Sequence, residues 1–262
     1  MKNRRVDSLV KDEAFKSFIL KKALYVKGKN IKLGDEILTY SKLYGNELFE
    51  IPDVFPSVCA CVRGSCGKYC KGCKKACYVA KSYKDLRGKA IKKGHARRTI
   101  AMRYYPELMY EALTGQLARK RNKPEFLRIH QSGEIESSAE FETHIKVAKD
   151  HPETIFYMYT KAFDIVIPYL LQHENEFPKN FIILISIWNE YGIKEYNAVK
   201  HMDNIKAFVV NTGYDYSKHG IIPTCKCGAY NGRKMNHETT CYICKKCMLI
   251  APEKKVILCD EH

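Results

Sequence analysis

FLRIHQSGEIESSAEFETHIKVA, residues 126–148, decides how the rest of the chain is read. Residues 126–131 read as a buried strand, Ser132 and Gly133 as a turn, and Ser137 with Glu140 has the spacing of a capping box. The box opens a helix that places Phe141, Ile145 and Ala148 on one face. The same unit recurs downstream. TIFYMYT (154–160) reads as a strand followed by a helix through Tyr169 and Leu170, FIILISIW (181–188) as a third strand and KAFVVNT (206–212) as a fourth. Strands and helices alternating at this spacing predict right-handed crossovers and a mostly parallel sheet, an α/β fold of the partial (β/α) barrel kind. Such sheets carry their ligands at the C-terminal ends of strands. His130, Ser132, Gly133 and Glu134 follow the first of these strands, and Tyr159, Thr160 and Lys161 close the next. A glycine lets a ligand approach the backbone and a carboxylate can receive an ammonium group. His130, Ser132, Gly133, Glu134, Thr160 and Lys161 are therefore the expected cofactor-binding set. Trp188 is expected either to line the same rim or to fill the core.

Upstream, residues 9–25 read as a helix and ELFEIP (47–52) as a short strand leading into a cysteine-rich loop. Leu108, Ala112, Leu113 and Leu117 recur at helical spacing over 107–121, with Pro106 suited to a helix start or break. After Gly220 the composition shifts to cysteine, glycine and lysine. The expected organisation is an α/β domain over 1–220, carrying the cysteine loop at 59–78, and a small cysteine-rich metal module over 221–262. The last forty or so residues are too few for a core, which a metal would provide.

The chain has 12 cysteines, six of them in CACVRGSCGKYCKGCKKACY, residues 59–78. Cys66, Cys70 and Cys73 form a C-x3-C-x2-C triad. Three thiolates from one tight loop leave the fourth iron of a cubane without a protein ligand, which is what S-adenosylmethionine needs. A second set, Cys66 or Cys70 with Cys73 and Cys77, is equally open, and Tyr78 beside it could shield a cluster. Zinc is the competing reading, because closely spaced thiolates also close a tetrahedral site. In the tail, Cys241, Cys244 and Cys247 form C-x2-C-x2-C, and Ala251 precedes Pro252 where a bacterial ferredoxin would show its fourth cysteine. Cys225 and Cys227 are the obvious further donors, with Cys259 and His237 in reserve. An auxiliary 4Fe-4S cluster and a zinc ribbon both fit.

The formal net charge of +16 is concentrated between Lys68 and Lys123, which holds 17 Lys and Arg against 3 Asp and Glu. Such a field suits nucleic acid or another polyanion, and equally suits a solvated face that offsets thiolate charge. The N-terminal residues are charged throughout and no apolar run is long enough to span a bilayer, so no membrane is expected. Cysteine used for metal in place of disulfides predicts a reducing, cytoplasmic setting.

RIHQSGEIESSAEF, the following FYMYTK, SIW, the upstream CKKACYVAKSY and the C-x2-C-x2-C tail together resemble the phage gene product 88 family, from about Leu38 to His262. The family layout is similar to that of radical S-adenosylmethionine proteins. The resemblance implies iron–sulfur biochemistry and a partial barrel, with Cys73 and Cys77 matching the diagnostic part of the family loop and Cys66 or Cys70 as third ligand. Gly133 and Glu134 match a turn where the family usually has Gly-Asp, and Met248 stands where an aromatic is expected. The leading expectation is thus a radical S-adenosylmethionine-like enzyme with one or two 4Fe-4S clusters, needing a reductant and acting on nucleic acid or a nucleotide. The rivals are a zinc-stapled nucleic-acid-binding protein and an iron–sulfur redox protein without radical chemistry.

Overall fold

A run such as FIILISI offers water almost nothing on either side, so it belongs in the middle of a sheet covered on both faces. In the computed structural model all of Phe181–Ile187 is buried. The structure describes residues 4–27, 37–71, 77, 79–80, 83–84, 88–121, 123–228, 230–231, 234–235, 239–251, 253 and 255–260. Cys73, Tyr78, His237 and Pro252 lie outside the described residues.

In chain order the strands are β1 (Arg4–Arg5), β2 (Val26–Lys27), β3 (Leu38–Tyr40), β4 (Leu48–Phe55), β5 (Val58–Arg63), β6 (Phe126–Ile129), β7 (Ile155–Thr160), β8 (Phe181–Ile187), β9 (Ile205–Asn211), β10 (Cys225–Lys226), β11 (Tyr230–Asn231), β12 (Lys234–Met235) and β13 (Val256–Asp260). The helices are α1 (Glu13–Lys22), α2 (Gly88–Tyr104), α3 (Pro106–Ala118), α4 (Ser138–Asp150), α5 (Phe163–Gln172), α6 (Ile193–Val199) and α7 (Cys241–Cys244). They divide into two compact units. The first comprises Met1–Tyr25, Tyr40–Arg121 and His130–Val147, and the second Val26–Thr39, Asn122–Ile129 and Ala148–His262.

The second unit is built on a mostly parallel eight-stranded sheet, ordered β10-β13-β9-β8-β7-β6-β3-β2. From β6 to β13 every neighbouring pair is parallel, and the short β2–β3 pair is antiparallel. Residues two apart on a strand share a face. Ile182, Leu184, Tyr157, Phe126 and Ile257 meet on one side together with Met248, and Cys225, Cys227, Cys241, Tyr242 and Cys247 pack against them. The alternate residues Phe156, Met158, Ile183 and Ile185 are fully buried too. Each such side chain contributes about 1.5–3 kcal/mol by leaving water. The C-terminal segment therefore supplies one cover of the sheet and also two of its strands, because β13 pairs with β9 and β10 with β13.

In the first unit ELFEIP is the start of a longer strand. β4 and β5 form an antiparallel hairpin with a register irregularity between Ile51 and Phe55, and β1 runs parallel to β5. The long basic helix breaks where Pro106 opens α3 at its first turn. Part of the basic run is engaged in internal contacts. Arg97 Nε donates to the Val54 carbonyl at 2.9 Å, Arg98 Nε to the Ser41 carbonyl at 2.7 Å, and Arg103 Nη2 lies 2.6 Å from Glu136 Oε1. Lys92 sits 4.7 Å from the centre of the Phe49 ring. Among the described residues no helix is long and apolar enough to cross a membrane.

Candidate metal centre

β5 leads straight into the first cysteine loop, and the loop's first residues are pinned by backbone bonds. Ser65 N–H donates to the Leu43 carbonyl and Cys66 N–H to the Gly45 carbonyl, each at 2.9 Å. The turn after β6 closes on the same place. Lys42 N–H donates to the Ser132 carbonyl at 2.8 Å, Ser132 Oγ returns a bond to the Lys42 carbonyl at 2.8 Å, and Glu134 N–H donates to Ser65 Oγ at 3.2 Å. Glu134 is buried, and its Oε1 accepts from Ile135 N–H at 3.0 Å. The backbone of the Ser-Gly-Glu turn is thus bonded to Ser65, the residue before Cys66. Tyr83 is beside that thiol: burial pushes its hydroxyl well above its usual range, and Cys66 adds to the rise.

Gly133 is fixed by the same approach. Its φ is +84°, and a Cβ there would lie 2.4 Å from Ser65 Oγ and 2.7 Å from Lys42 Cβ. Gly133→Ala is therefore expected to lower stability by about 2–4 kcal/mol, combining left-handed strain with a clash against a buried lysine stem. Equilibrium denaturation measures this, and a variant within 0.5 kcal/mol or so of the parent would show that the contact is not rigid.

Of the loop cysteines expected as ligands, Cys66 and Cys77 are partly buried and carry no disulfide, and Cys70 enters through its backbone in a 3-10 turn, Gly67–Lys71. The tail thiols are described more fully. Thr240 caps α7, its side chain accepting from Ile243 N–H, so that one tight turn carries Cys241 and Cys244, with Cys247 just beyond. Burial pushes the Cys247 thiol up to about 12; a hydrogen bond from Tyr159 opposes this, and Cys241, Cys227 and Cys244 reinforce it. Cys227, Cys241 and Cys244 are thus near enough to the Cys247 thiol to act on it, and such a group of thiols is a donor set suited to a metal cation. Cys227 and Cys225 both pack against the same core as Cys241 and Cys247, and Cys225 lies in β10 opposite Ile257. Cys225 is nonetheless close enough to feel Cys244, and burial pushes its thiol up. Lys206, buried in β9, holds this turn by donating to the carbonyls of Lys246 at 2.7 Å and Leu249.

The family model of gene product 88 matches residues 21–251, from the end of α1 to just beyond the last cysteine of the tail triad. The chain belongs to the gene product 88 family. Neither a curated protein nor a solved structure matches it.

In this gene product 88 member the remaining strand-end residues fall in different units. His130, Ser132, Gly133 and Glu134 belong to the first and Thr160 and Lys161 to the second. Thr160 Oγ1 accepts from Ala162 N–H at 2.9 Å, ahead of α5. The Lys161 ammonium lies 5.3 Å from the centre of the Trp188 ring, and Tyr191 Oη donates to the Lys161 carbonyl at 3.1 Å. Trp188 therefore stands at the strand ends beside Lys161.

The structure also assembles a group that the sequence reading did not single out. Ser137 caps α4 as expected, its Oγ accepting from Glu140 N–H at 3.2 Å. The Glu140 side chain, however, takes the N–H of Glu136 at 2.9 Å and turns toward Lys42 and His130. Lys42 Nζ lies 2.6 Å from Glu140 Oε1, and His130 Nε2 lies 3.1 Å from the same oxygen. His144, one helical turn beyond Glu140, completes a buried group in which one ligand atom from each of His130, Glu140 and His144 lies within 4.8 Å of the others. The signal was present as Glu140-x3-His144, a pair on one helix face.

Proposed function

We propose that this chain is a radical S-adenosylmethionine-like iron–sulfur enzyme. The observation that carries the reading is the bonding of the Gly133–Glu134 turn to Ser65, the residue before Cys66, with Glu134 itself buried. Cys66, Cys70, Cys73 and Cys77 are the residues from which three ligands of a 4Fe-4S cluster would come. When bound and reduced, that cluster supplies the electron that cleaves the sulfonium of S-adenosylmethionine to methionine and a deoxyadenosyl radical. The chain's own tasks are then to bind and exclude water. Glu134 receives the methionyl ammonium, and Tyr44 and Tyr83, with ring centres 5.0 Å apart, wall off the Cys66 side. Strands β6 to β9 and then β13 follow one another across a parallel sheet without reversal, and such sheets carry ligands at the C-terminal ends of their strands, where Thr160 and Lys161 stand in the second unit.

A second role for metal rests on the tail. Cys227, Cys241 and Cys247 pack on or beside the sheet core, so a cluster or zinc ion there braces one face of the sheet. The bonding of Arg97, Arg98 and Arg103 within the first unit leaves less of the basic run for nucleic acid, and makes a nucleotide-sized substrate the first class to try.

The test is metal content and electron paramagnetic resonance on anaerobically purified, reduced protein, with and without S-adenosylmethionine. Iron with a cluster signal that shifts on adding the cofactor is the expected result. Glu134→Ala is expected to weaken cofactor binding about 10- to 100-fold, the loss of one charge-assisted hydrogen bond. Zinc without iron, or unchanged affinity in that variant, would reject the proposal.

A further inference from the structure

His130, Glu140 and His144 are distinct from every cysteine of the chain and meet in the interior of the first unit. Two imidazoles and one carboxylate form a donor set suited to a borderline divalent ion such as zinc or ferrous iron, with a fourth position left over. Three independent features point to a ligand. First, all three residues are buried, His130 at 3%, Glu140 at 1% and His144 at 0% exposure. Second, among the described residues neither ring nitrogen of His144 nor Nδ1 of His130 makes a hydrogen bond, and His130 Nε2 has only its approach to Glu140 Oε1, at 3.1 Å. Each buried polar atom left this way costs about 1–3 kcal/mol. Third, His130 has a φ of +53°, a left-handed conformation costing about 1–3 kcal/mol for a residue with a side chain. That strain turns the imidazole at the end of β6 toward α4 instead of letting it continue the alternation of the strand.

We propose that His130, Glu140 and His144 form a mononuclear divalent-metal site of the zinc or ferrous class, separate from the thiolate centres. The spacing is close to that required. Ligands at about 2.0–2.1 Å from a tetrahedral ion lie about 3.3–3.4 Å apart, and His130 Nε2 and Glu140 Oε1 are 3.1 Å apart. Lys42 is the group that must give way, since its ammonium contacts both oxygens of Glu140. It has a place to go. Lys42 Nζ also lies 3.1 Å from Glu136 Oε2, so it can keep that carboxylate and Glu140 Oε2 while Oε1 turns to the ion. Glu140 and His144 are one helical turn apart on α4, and His130 arrives from a strand end, so two elements set the three donors.

The site is tested with zinc alone on crystals of the wild-type chain grown with zinc chloride. Anomalous scattering at the zinc edge is expected to show an ion bonded to all three side chains. The absence of any peak there would overturn the site and leave the group as an ion pair of Glu140 with Lys42 and His130. In solution, cobalt taken up at thiolates gives strong charge-transfer absorption, and cobalt held by imidazole and carboxylate does not. Wild-type protein is expected to bind one cobalt per chain lacking that absorption, and His144→Ala, with its circular dichroism unchanged, to lose that one equivalent. Equal uptake by both proteins would likewise reject the site.

Discussion

Lys42→Met is expected to destabilise the protein by about 3–5 kcal/mol, the usual loss when one partner of a buried ion pair is removed. Lys42 is fully buried and its Nζ lies 2.6 Å from Glu140 Oε1 and 3.1 Å from Glu136 Oε2. The two acids would not suffer equally. Glu136 keeps Arg103 at 2.6 Å, whereas Glu140 would be a nearly uncompensated buried carboxylate. Burial pushes Glu140 upward, yet Lys42, then His130 and His144, outweigh it and hold the carboxyl well below the usual range. Denaturant unfolding of Lys42→Met, Glu140→Gln and the double variant measures the coupling. The double variant is expected to recover at least about 1 kcal/mol relative to additivity, because the charge that Lys42 balances is then gone. Strict additivity would mean that the two side chains do not act as a pair.

Cys247→Ser is expected to cost the chain one metal equivalent and a large part of the stability of its second unit. The thiol lies among Cys227, Cys241 and Cys244, and the turn that bears it covers the sheet core through Met248. A structural metal supplies about 10–16 kcal/mol of apparent binding energy. Losing even 3–5 kcal/mol of this lowers the melting temperature by about 6–20 °C in a chain of this size. Cys227→Ser should behave alike. Cys259→Ser, a buried change within β13, should leave metal content unaltered. Metal analysis by mass spectrometry with parallel thermal melts distinguishes these cases, and full metal retention in Cys247→Ser would remove that thiol from the centre.

The βα units were legible because parallel strands are buried on both faces and so appear as unbroken apolar runs. Residues 126–131, 154–160, 181–188 and 206–212 were read as strands, and β6, β7, β8 and β9 occupy them to within one or two residues. β5 was hidden. VCACVR reads as the start of a cysteine cluster, and only the structure shows that Cys59 is a buried strand residue whose Sγ donates to Glu50 Oε1 at 3.2 Å. Glu140 was legible as part of a helix cap but not as the partner of Lys42, which lies 98 residues away in the chain. The Glu140-x3-His144 spacing marks one face of α4, but nothing local in the sequence says what that face meets.

Local order is what the chain specifies by itself: the sequence of strands and helices, the break at Pro106, the Ser137 cap and the cysteine spacings follow from periodicity and backbone chemistry over a few residues. Tertiary structure alone decided that Gly133 closes on Ser65, that Cys225 and Cys227 pack against the same core as Cys241 and Cys247, that β13 pairs with β9, and that His130, Glu140 and His144 meet in one buried group. These meetings depend on which distant surfaces bury each other. Hydrophobic burial is non-directional, and no short-range pattern encodes which polar groups it will trap together.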